Sequence, residues 1–166
     1  MKAHNSSQPP RPPLREVEVV IEIPKWGFVK RGTYGHVDFI SPLPCLFNYG
    51  SIPDYVGLDG DLLDALVLGP RLRRGERVTV TAYGAVGLSD RDMYDDKVIC
   101  GTGPISRADR DRVLRFLGHY GRCKRVLNFF RGRPGLTRRE GWVSAEEAFA
   151  RATSLDATWR GPVVPF

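Results

Sequence analysis

The sequence has little of what marks secreted, membrane-embedded or zinc-binding proteins. Its three cysteines, Cys45, Cys100 and Cys123, stand far apart without CxxC spacing, which argues against both a disulfide framework and a zinc site. The chain has no apolar run long enough for a transmembrane span, and its N-terminus lacks the apolar core of a secretory signal peptide. We therefore expect a cytoplasmic protein with no membrane partner.

Length and composition predict one globular domain with short appendages. The chain has 166 residues, of which 42% are apolar and 27% charged, and these values are ordinary for a single domain with its own core. Residues 1–15 contain four prolines and no apolar run, so we expect a disordered arm there. Residues 160–166 contain two prolines and are expected to form an extended tail, which leaves residues 16–159 for the folded domain.

The charge of the chain is unevenly distributed, which bears on its partners. The formal net charge is +6, with acidic residues concentrated between Asp54 and Asp96 and basic residues between Arg107 and Arg139. A basic surface attracts polyanions, and nucleic acid is the commonest of these. A non-catalytic polyanion-binding module is therefore one interpretation, although clustered aspartates would repel a phosphate backbone and make nucleic acid a disfavoured partner.

Short strands dominate the first two thirds of the chain. The alternation of charged and apolar residues over Val17–Ile23 is typical of a strand that ends at Pro24. Proline and glycine predict irregular chain between Pro42 and Pro53. Further strands are expected at Gly35–Ile40, Leu66–Leu68, Arg77–Ala82, Ala85–Leu88 and Lys97–Cys100. Short strands at this spacing favour a small barrel over an alternating β–α–β sheet.

Two helices are predicted after the strands. Ser106 is a good N-cap, and apolar residues from Val113 to Tyr120 recur on one helical face. A second helix is expected to begin after Ser144, because Glu147 completes a capping box, and to end near Thr153. The fold class is α+β, mainly β, with a barrel flanked by two C-terminal helices.

Clustered aspartates are the most informative feature of the sequence. Three carboxylates lie within Leu58–Asp64 and four more within Leu88–Lys97, and oxygen ligands of this kind suit hard divalent cations such as Mg²⁺. Lys97 follows Asp95 by two residues, so in a strand both side chains face the same way, as a bound phosphate would require. The competing interpretation is that Asp-Gly segments form ordinary surface turns.

Several segments together resemble the family I soluble inorganic pyrophosphatases. The strand Val20–Pro24 is similar to that family's first strand, Phe47–Gly50 to its Asn-Tyr-Gly stretch, and Asp59–Asp64 to its Asp-Gly-Asp-x-x-Asp signature. The spacing of Asp90, Asp95 and Lys97 also matches, as do His119-Tyr120 and Glu140-Gly141-Trp142. The resemblance implies a small, closed, OB-like β-barrel and hydrolysis of pyrophosphate by a metal-activated water. It also implies Mg²⁺ as cofactor, with Mn²⁺ as a substitute, and a homo-oligomer, in bacterial members a hexamer.

The resemblance implies a role for each matching residue. A first metal would be held by Asp59, Asp64 and Asp95, and Asp64 would also touch a second metal. A metal that arrives with the substrate would be bound by Asp90 and Asp95, assisted by Glu22. The attacking water would be oriented or deprotonated by Asp61, with Tyr49 nearby, while Lys97 and Tyr120 would hold the departing phosphate.

Several phosphate-binding positions of the family do not match. Arg31, with Lys30 as a second candidate, would replace a family lysine, and Lys124 would compensate for the lysine that normally follows the helix tyrosine. Gly121 stands at the place of that lysine, Thr33 and Phe39 replace two other family side chains, and a family tyrosine is replaced near Cys45. An altered substrate, with the same metal site acting on another phosphoanhydride or a phosphate ester, therefore stays open beside pyrophosphate hydrolysis.

Overall fold

The computed structural model describes residues 14–31, 37–90, 93–130 and 137–155. The expected tail lies outside these ranges, and so does the expected arm up to residue 13. Arg15 already begins the first strand. Within the described ranges no helix is both long and apolar enough to cross a membrane.

Five long strands close into the predicted barrel. These strands are β1 (Arg15–Ile23), β4 (Asn48–Val56), β5 (Leu62–Leu68), β6 (Arg77–Asp90) and β7 (Met93–Gly101). The closure comes from β1, which pairs antiparallel with β4 on one side and with β6 on the other. Around the barrel the order is β1, β4, β5, β7, β6 and back to β1.

Shorter elements flank the barrel. A two-stranded hairpin of β2 (Val29–Arg31) and β3 (Val37–Ile40) stands apart from the main sheet, in which β8 (Thr137–Val143) pairs with β6 and β9 (Thr153–Ser154) with β4. The helices are α1 (Arg107–Phe130) and α2 (Ala145–Arg151). The mainly β fold with a closed barrel and two helices is the predicted one.

Both predicted helix starts are confirmed. The Ser106 hydroxyl accepts from the backbone N–H of Asp109, whose carboxylate accepts from the Ser106 backbone N–H in return. Ser144 and Glu147 make the same reciprocal pair at the start of α2. Each pair satisfies backbone donors that have no partner inside the helix. The second helix ends at Arg151, two residues before the predicted end, because Thr153 and Ser154 pair with β4.

Two apolar clusters lie on opposite faces of the barrel wall. Along β5, Leu63, Ala65 and Val67 point into the barrel, where Phe149 of α2 joins them. Leu66 points outward and packs beneath α1. Alternation along a strand therefore decides which side chains of β5 and β7 lie under α1, and Asp64 shares the outward face with Leu66.

The strand β4 corrects the prediction of irregular chain between Pro42 and Pro53. Strand pairing begins at Asn48 and continues past Pro53 to Val56, with an irregular register between Ile52 and Val56 that accommodates the proline. Gly50 is required by close packing, because a Cβ atom there would lie 2.0 Å from the carbonyl oxygen of Val20. The glycine taken as a sign of a loop instead permits two strands to pack closely.

Two separately predicted strands are one. The stretches Arg77–Ala82 and Ala85–Leu88 belong to one continuous strand with a register shift between Ala82 and Gly84.

Some large apolar side chains lie at the surface. Trp26 is 58%, Phe129 68% and Phe130 79% exposed. The end of α1 extends beyond the barrel that buries its first half.

Candidate active site

The parallel pairing of β5 with β7 creates the centre of the site. The register places Asp64 beside Lys97, and Lys97 follows Asp95 by two residues on the same face. The Lys97 ammonium donates to both carboxylates, Asp64 and Asp95. Residues 33 positions apart in the sequence thus meet on the outer face of the barrel, under α1.

A tight turn carries two further aspartates to the edge of this pair. Gly60 has a φ of +89°, a left-handed conformation that glycine adopts without strain. The Asp59 carboxylate accepts from the backbone N–H of Asp61 at 3.2 Å, and the Asp61 carbonyl accepts from Gly57 N–H at 2.8 Å. The turn fixes Asp59 half-buried next to the site and leaves the Asp61 side chain exposed.

Burial and charge together govern protonation at the centre. Burial would lower the pKa of Lys97, but the adjacent Asp64 and Asp95 carboxylates raise that pKa overall, so Lys97 stays charged. Burial raises the pKa of Asp95 despite the attraction of Lys97. The pKa of Asp59 is also raised, first by burial and then by the negative charge of Asp64. The carboxylates repel one another, and added positive charge at this point would stabilise them.

Two tyrosines bound the site in their neutral form. Burial and then the charge of Asp64 raise the pKa of Tyr49 well above its usual range, and the Tyr49 hydroxyl donates to Asp64. Burial raises the pKa of Tyr120 to about 12. Two ammonium groups lie near the Tyr49 ring, with Lys97 Nζ 5.6 Å and Lys30 Nζ 5.7 Å from its centroid.

Lys30, the second candidate for the position assigned first to Arg31, lies in the site close to Glu22 and Tyr49. Lys30 Nζ lies 3.0 Å from Glu22 Oε2. Burial opposes the charge of Lys30, but Asp64 and Glu22 outweigh it and raise the Lys30 pKa. No signal in the sequence ranked the two residues, because β2 has only three residues and its pairing with β3 is irregular between Lys30 and Arg31.

The remaining predicted residues fall into two groups. Lys124 follows Tyr120 by one turn of α1 and is partly buried, and Gly121 is buried beside it. The side chains of Arg31, Phe39 and Asp90, and the whole of Thr33, lie outside what the structure describes. Their assigned roles stay predictions.

A cavity, which we call the α1 cavity, opens from the site into the space between the barrel and α1. Its volume is about 70 Å³. Lysine and tyrosine side chains form one part of its lining: Lys30, Tyr49, Lys97 and Tyr120. The rest of the lining consists of Ile23, Ser41, Cys45, Leu66, Phe116 and Leu117. No sequence motif signalled this cavity, because its wall residues are those of an ordinary core.

The donor set fits a hard divalent cation. Among the residues that the structure describes, no three acidic, histidine or cysteine side chains encircle a single point, because the Lys97 ammonium lies where Asp64 and Asp95 meet. Burial and then the negative charges of Asp64 and Asp59 nevertheless raise the pKa of Asp95, so the carboxylates carry more negative charge than Lys97 alone balances. Carboxylate oxygens are the ligands that Mg²⁺ favours.

Fold and site together define a small closed β-barrel with aspartates and lysines clustered on its outer face beneath α1. Residues 19–157 match the profile of the family described as Pyrophosphatase: Inorganic pyrophosphatase. The chain belongs to the inorganic pyrophosphatase family, and it is a hydrolase of that family.

Individual relatives agree with this assignment. The inorganic pyrophosphatase of Saccharolobus solfataricus is 32% identical across 63% of this chain and 74% of its own length. That of Rickettsia prowazekii is 30% identical with the same coverage. The crystal structure of inorganic pyrophosphatase from Thermus thermophilus superposes with a TM-score of 0.66 at 26% identity, covering 82% of this chain and 86% of that one. Identity is therefore low while the barrel is retained.

Proposed function

We propose that this chain hydrolyses inorganic pyrophosphate to two phosphates, with Mg²⁺ as the cofactor and Mn²⁺ as a substitute. Family membership supports the reaction. The observation that carries the proposal is the convergence of Asp64 and Asp95 on Lys97, beside Asp59. Such a site offers oxygen ligands for cations and a fixed ammonium for a phosphate.

In this proposal Asp59, Asp64, Asp90 and Asp95 hold the metal ions. Bound divalent cations would neutralise the substrate's charge and lower the pKa of a coordinated water. Oxygen ligands from separate strands and a turn keep the donors fixed before substrate arrives, so little reorganisation accompanies binding.

The other side chains act on the water and on the phosphates. Asp61, whose side chain is exposed, takes the proton of the attacking water, while Glu22 contributes negative charge at the metal-binding edge. Tyr49, neutral because of its raised pKa, donates a hydrogen bond to the phosphoryl oxygens or the water. Lys97 and Tyr120 hold the departing phosphate.

Further cations would complete the phosphate site. Lys30 lines the α1 cavity and, as the second candidate, is assigned the role first given to Arg31. Lys124 lies one turn beyond Tyr120 and reaches the same side of α1. Losing one such contact to a developing oxyanion typically costs about 10²–10³ in rate.

The decisive experiment uses two adjacent aspartates that point to opposite faces of β7. Asp95 contacts Lys97 in the site, whereas Asp96 accepts two hydrogen bonds from Arg151, both at 2.9 Å. We expect Asp95→Asn to lower Mg²⁺-dependent phosphate release from pyrophosphate by about 10²-fold or more, since a ligand and a charge are lost. EDTA should abolish release by the unchanged protein.

Asp96→Asn is the matched control. We expect it to cost about 1–3 kcal/mol in free energy of unfolding, because Arg151 loses a charged partner, with release measured well below the melting temperature largely retained. If folded, Mg²⁺-loaded protein releases no phosphate, or if Asp95→Asn is as active as the unchanged protein, pyrophosphate hydrolysis at this site is wrong.

A homo-oligomer in the cytoplasm is also part of the proposal. The exposed apolar side chains at the end of α1, Val126, Phe129 and Phe130, support a contact between subunits, and a hexamer is the family's bacterial assembly. Three free cysteines support a reducing compartment.

A further inference from the structure

A groove on the outer face of the barrel, which we call the seam groove, shares no lining residue with the α1 cavity. Its volume is about 760 Å³. Two partly exposed rings, those of Tyr83 and Trp142, give it aromatic surface. The Trp142 ring packs directly on Gly84, where a Cβ atom would lie 2.4 Å from the indole nitrogen. The groove is also lined by Leu14, Arg110, Glu146 and Glu147.

The seam groove lies where the ends of β1 and β8 meet along β6. One edge of β6 is occupied by β7, which pairs with residues 81–90, so β1 and β8 share the other edge. On that edge Arg15 pairs with Ala82, and Val143 pairs with Ala85. Both strands run antiparallel to β6, so the end of β8 points toward the beginning of β1.

Upstream of Leu14, the edge of β6 has no room for a longer β1. The next pair would be Leu14 with Tyr83, and two residues past Tyr83 the edge is already taken by Val143. The inner side of the sheet is filled by the apolar cluster that includes Ala82 and Ala85. The outer face, where Leu14 lines the seam groove, is therefore the open side.

The charges in the seam groove favour a partner with a positive charge beside α2. The Arg110 guanidinium lies 4.4 Å from the centroid of the Trp142 ring, and the Glu147 carboxylate accepts from Ser144 in the capping box. Glu146 is partly buried and has no hydrogen-bond or ion-pair partner among the residues that the structure describes. A cation from a bound segment would supply that partner.

We propose that the seam groove binds the proline-rich sequence Gln8–Pro13 of this same chain. That sequence ends directly before Leu14, so it reaches the groove without a linker. Its one charged residue is Arg11, which complements Glu146. The inference is independent of the proposed function, because no residue of the candidate active site lines this groove.

Proline and aromatic rings together form a familiar mode of recognition. Four of the six residues in Gln8–Pro13 are proline, which favours the polyproline II conformation, and six residues in that conformation span about 19 Å. Segments of this kind dock on grooves lined by aromatic side chains, and their restricted backbone loses little entropy on binding. Here Tyr83 and Trp142 offer the rings, and Glu146 offers a carboxylate to Arg11.

The test follows the exposure of Trp142 in the full-length protein. Trp26→Phe with Trp159→Phe leaves Trp142 as the single tryptophan, and quenching of its fluorescence by acrylamide measures its exposure. Replacing the four prolines of Gln8–Pro13 by serine should raise the quenching constant by about twofold or more, because the ring loses the segment that covers it. The matched control, Asn5→Ala with Ser6→Ala and Ser7→Ala, should leave quenching unchanged.

An exchange of charges tests the contact between Arg11 and Glu146. Arg11→Glu should raise the quenching constant, because two carboxylates would then repel each other, and adding Glu146→Arg should return it toward the original value. Arg11→Glu with Asp111→Arg is the control, since Asp111 is exposed on α1 and absent from the lining of the groove. It should restore nothing. Thermal unfolding checks that each variant is folded.

The outcomes decide between this chain and its neighbours. Increased quenching in the proline variant, with restoration by the exchange at Arg11 and Glu146, supports the proposal. Unchanged quenching in the proline variant, or an exchange that restores nothing, overturns it. Phe129→Ser with Phe130→Ser separates the subunits, and shielding of Trp142 should persist in the single chain. Shielding that is lost there would assign the groove to the arm of another copy and overturn binding within one chain.

Discussion

At the scale of single residues, the site depends on a lysine held between two acids. Lys97 is buried and is kept charged by Asp64 and Asp95. A buried ammonium with only one of these carboxylates would lose much of what offsets its desolvation. The group that would hold a phosphate is thus also one that holds the ligand carboxylates in place before any cation binds.

Lys30 offers a test of the lysine side chains proposed to bind phosphate. We expect Lys30→Gln to lower kcat/KM for pyrophosphate by about 10–10²-fold, because one ammonium near the phosphate is lost while Glu22 keeps a hydrogen-bonding partner. Steady-state kinetics at saturating Mg²⁺ measure this effect.

Lys25→Gln is the control for that substitution. Lys25 Nζ donates to the carbonyl of Gly69 at 3.1 Å, and Lys25 is absent from the lining of the α1 cavity. An equal loss of kcat/KM in both variants would contradict the role assigned to Lys30.

The cysteines predict a graded response to alkylation. Burial raises the pKa of the Cys45 thiol to about 11 and of the Cys100 thiol to about 12, whereas Cys123 is partly exposed. Since the thiolate is the reactive form, iodoacetamide at pH 8 should modify Cys123 well before the other two. Peptide mass mapping against time checks the order, and early modification of Cys100 in folded protein would contradict it.

At the scale of elements, close strand packing explains why β4 was missed. Gly50 and Pro53 are poor strand formers by propensity, but Gly50 is the residue that allows β4 to approach β1. We expect Gly50→Ala to lower the free energy of unfolding by about 2–3 kcal/mol, because the new methyl would overlap the Val20 carbonyl and force the two strands apart.

Gly103→Ala is the matched comparison. Within the described part of the molecule, no heavy atom lies within 4 Å of a Cβ atom at Gly103 apart from those of adjacent residues. That substitution should change stability by a few tenths of a kcal/mol. Similar denaturant midpoints for the two variants would contradict the packing explanation.

Local signals explain which elements could be predicted. Capping residues such as Ser106 and Ser144 and the alternation of β1 act within a few positions, and both helices and that strand were placed correctly. Gly50 and Pro53 carry the opposite local signal, and only contact with a strand about thirty residues away overrides it. The same holds for Trp26 and Phe129, whose exposure depends on where the barrel surface ends.

The candidate site also contains residues that local signals predicted and features that only long-range contacts determine. Asp59, Asp64, Asp95 and Lys97 were found because they cluster in the sequence and match a family spacing. The α1 cavity was not predicted from the sequence. It lies between Leu66 on β5 and Leu117 on α1, and an empty space between two elements leaves no pattern in the sequence. The presence of Lys30 in the lining of the α1 cavity depends on the orientation of its side chain in β2, and a strand of three residues carries too little pattern to predict that orientation.

At the scale of the whole molecule, the end of α1 predicts association. Phe129 and Phe130 are more than two thirds exposed, and exposed aromatic side chains of this kind commonly mark contacts between proteins. We expect sedimentation to give a mass that is a multiple of 18.6 kDa. The double substitution Phe129→Ser with Phe130→Ser should shift it toward the single chain, and a monomer in the unchanged protein would overturn the homo-oligomer.

The parallel pairing of β5 and β7 also has a kinetic consequence. The whole of β6 separates Asp64 from Lys97 in the sequence, so the two residues pair only across a long loop. Closing the barrel also requires Arg15 to pair with Ala82. Loop closure of this length has a large entropic cost before its contacts form. Half-folded chains should therefore lack the paired carboxylates, and during refolding the return of activity should follow the slowest step of barrel closure.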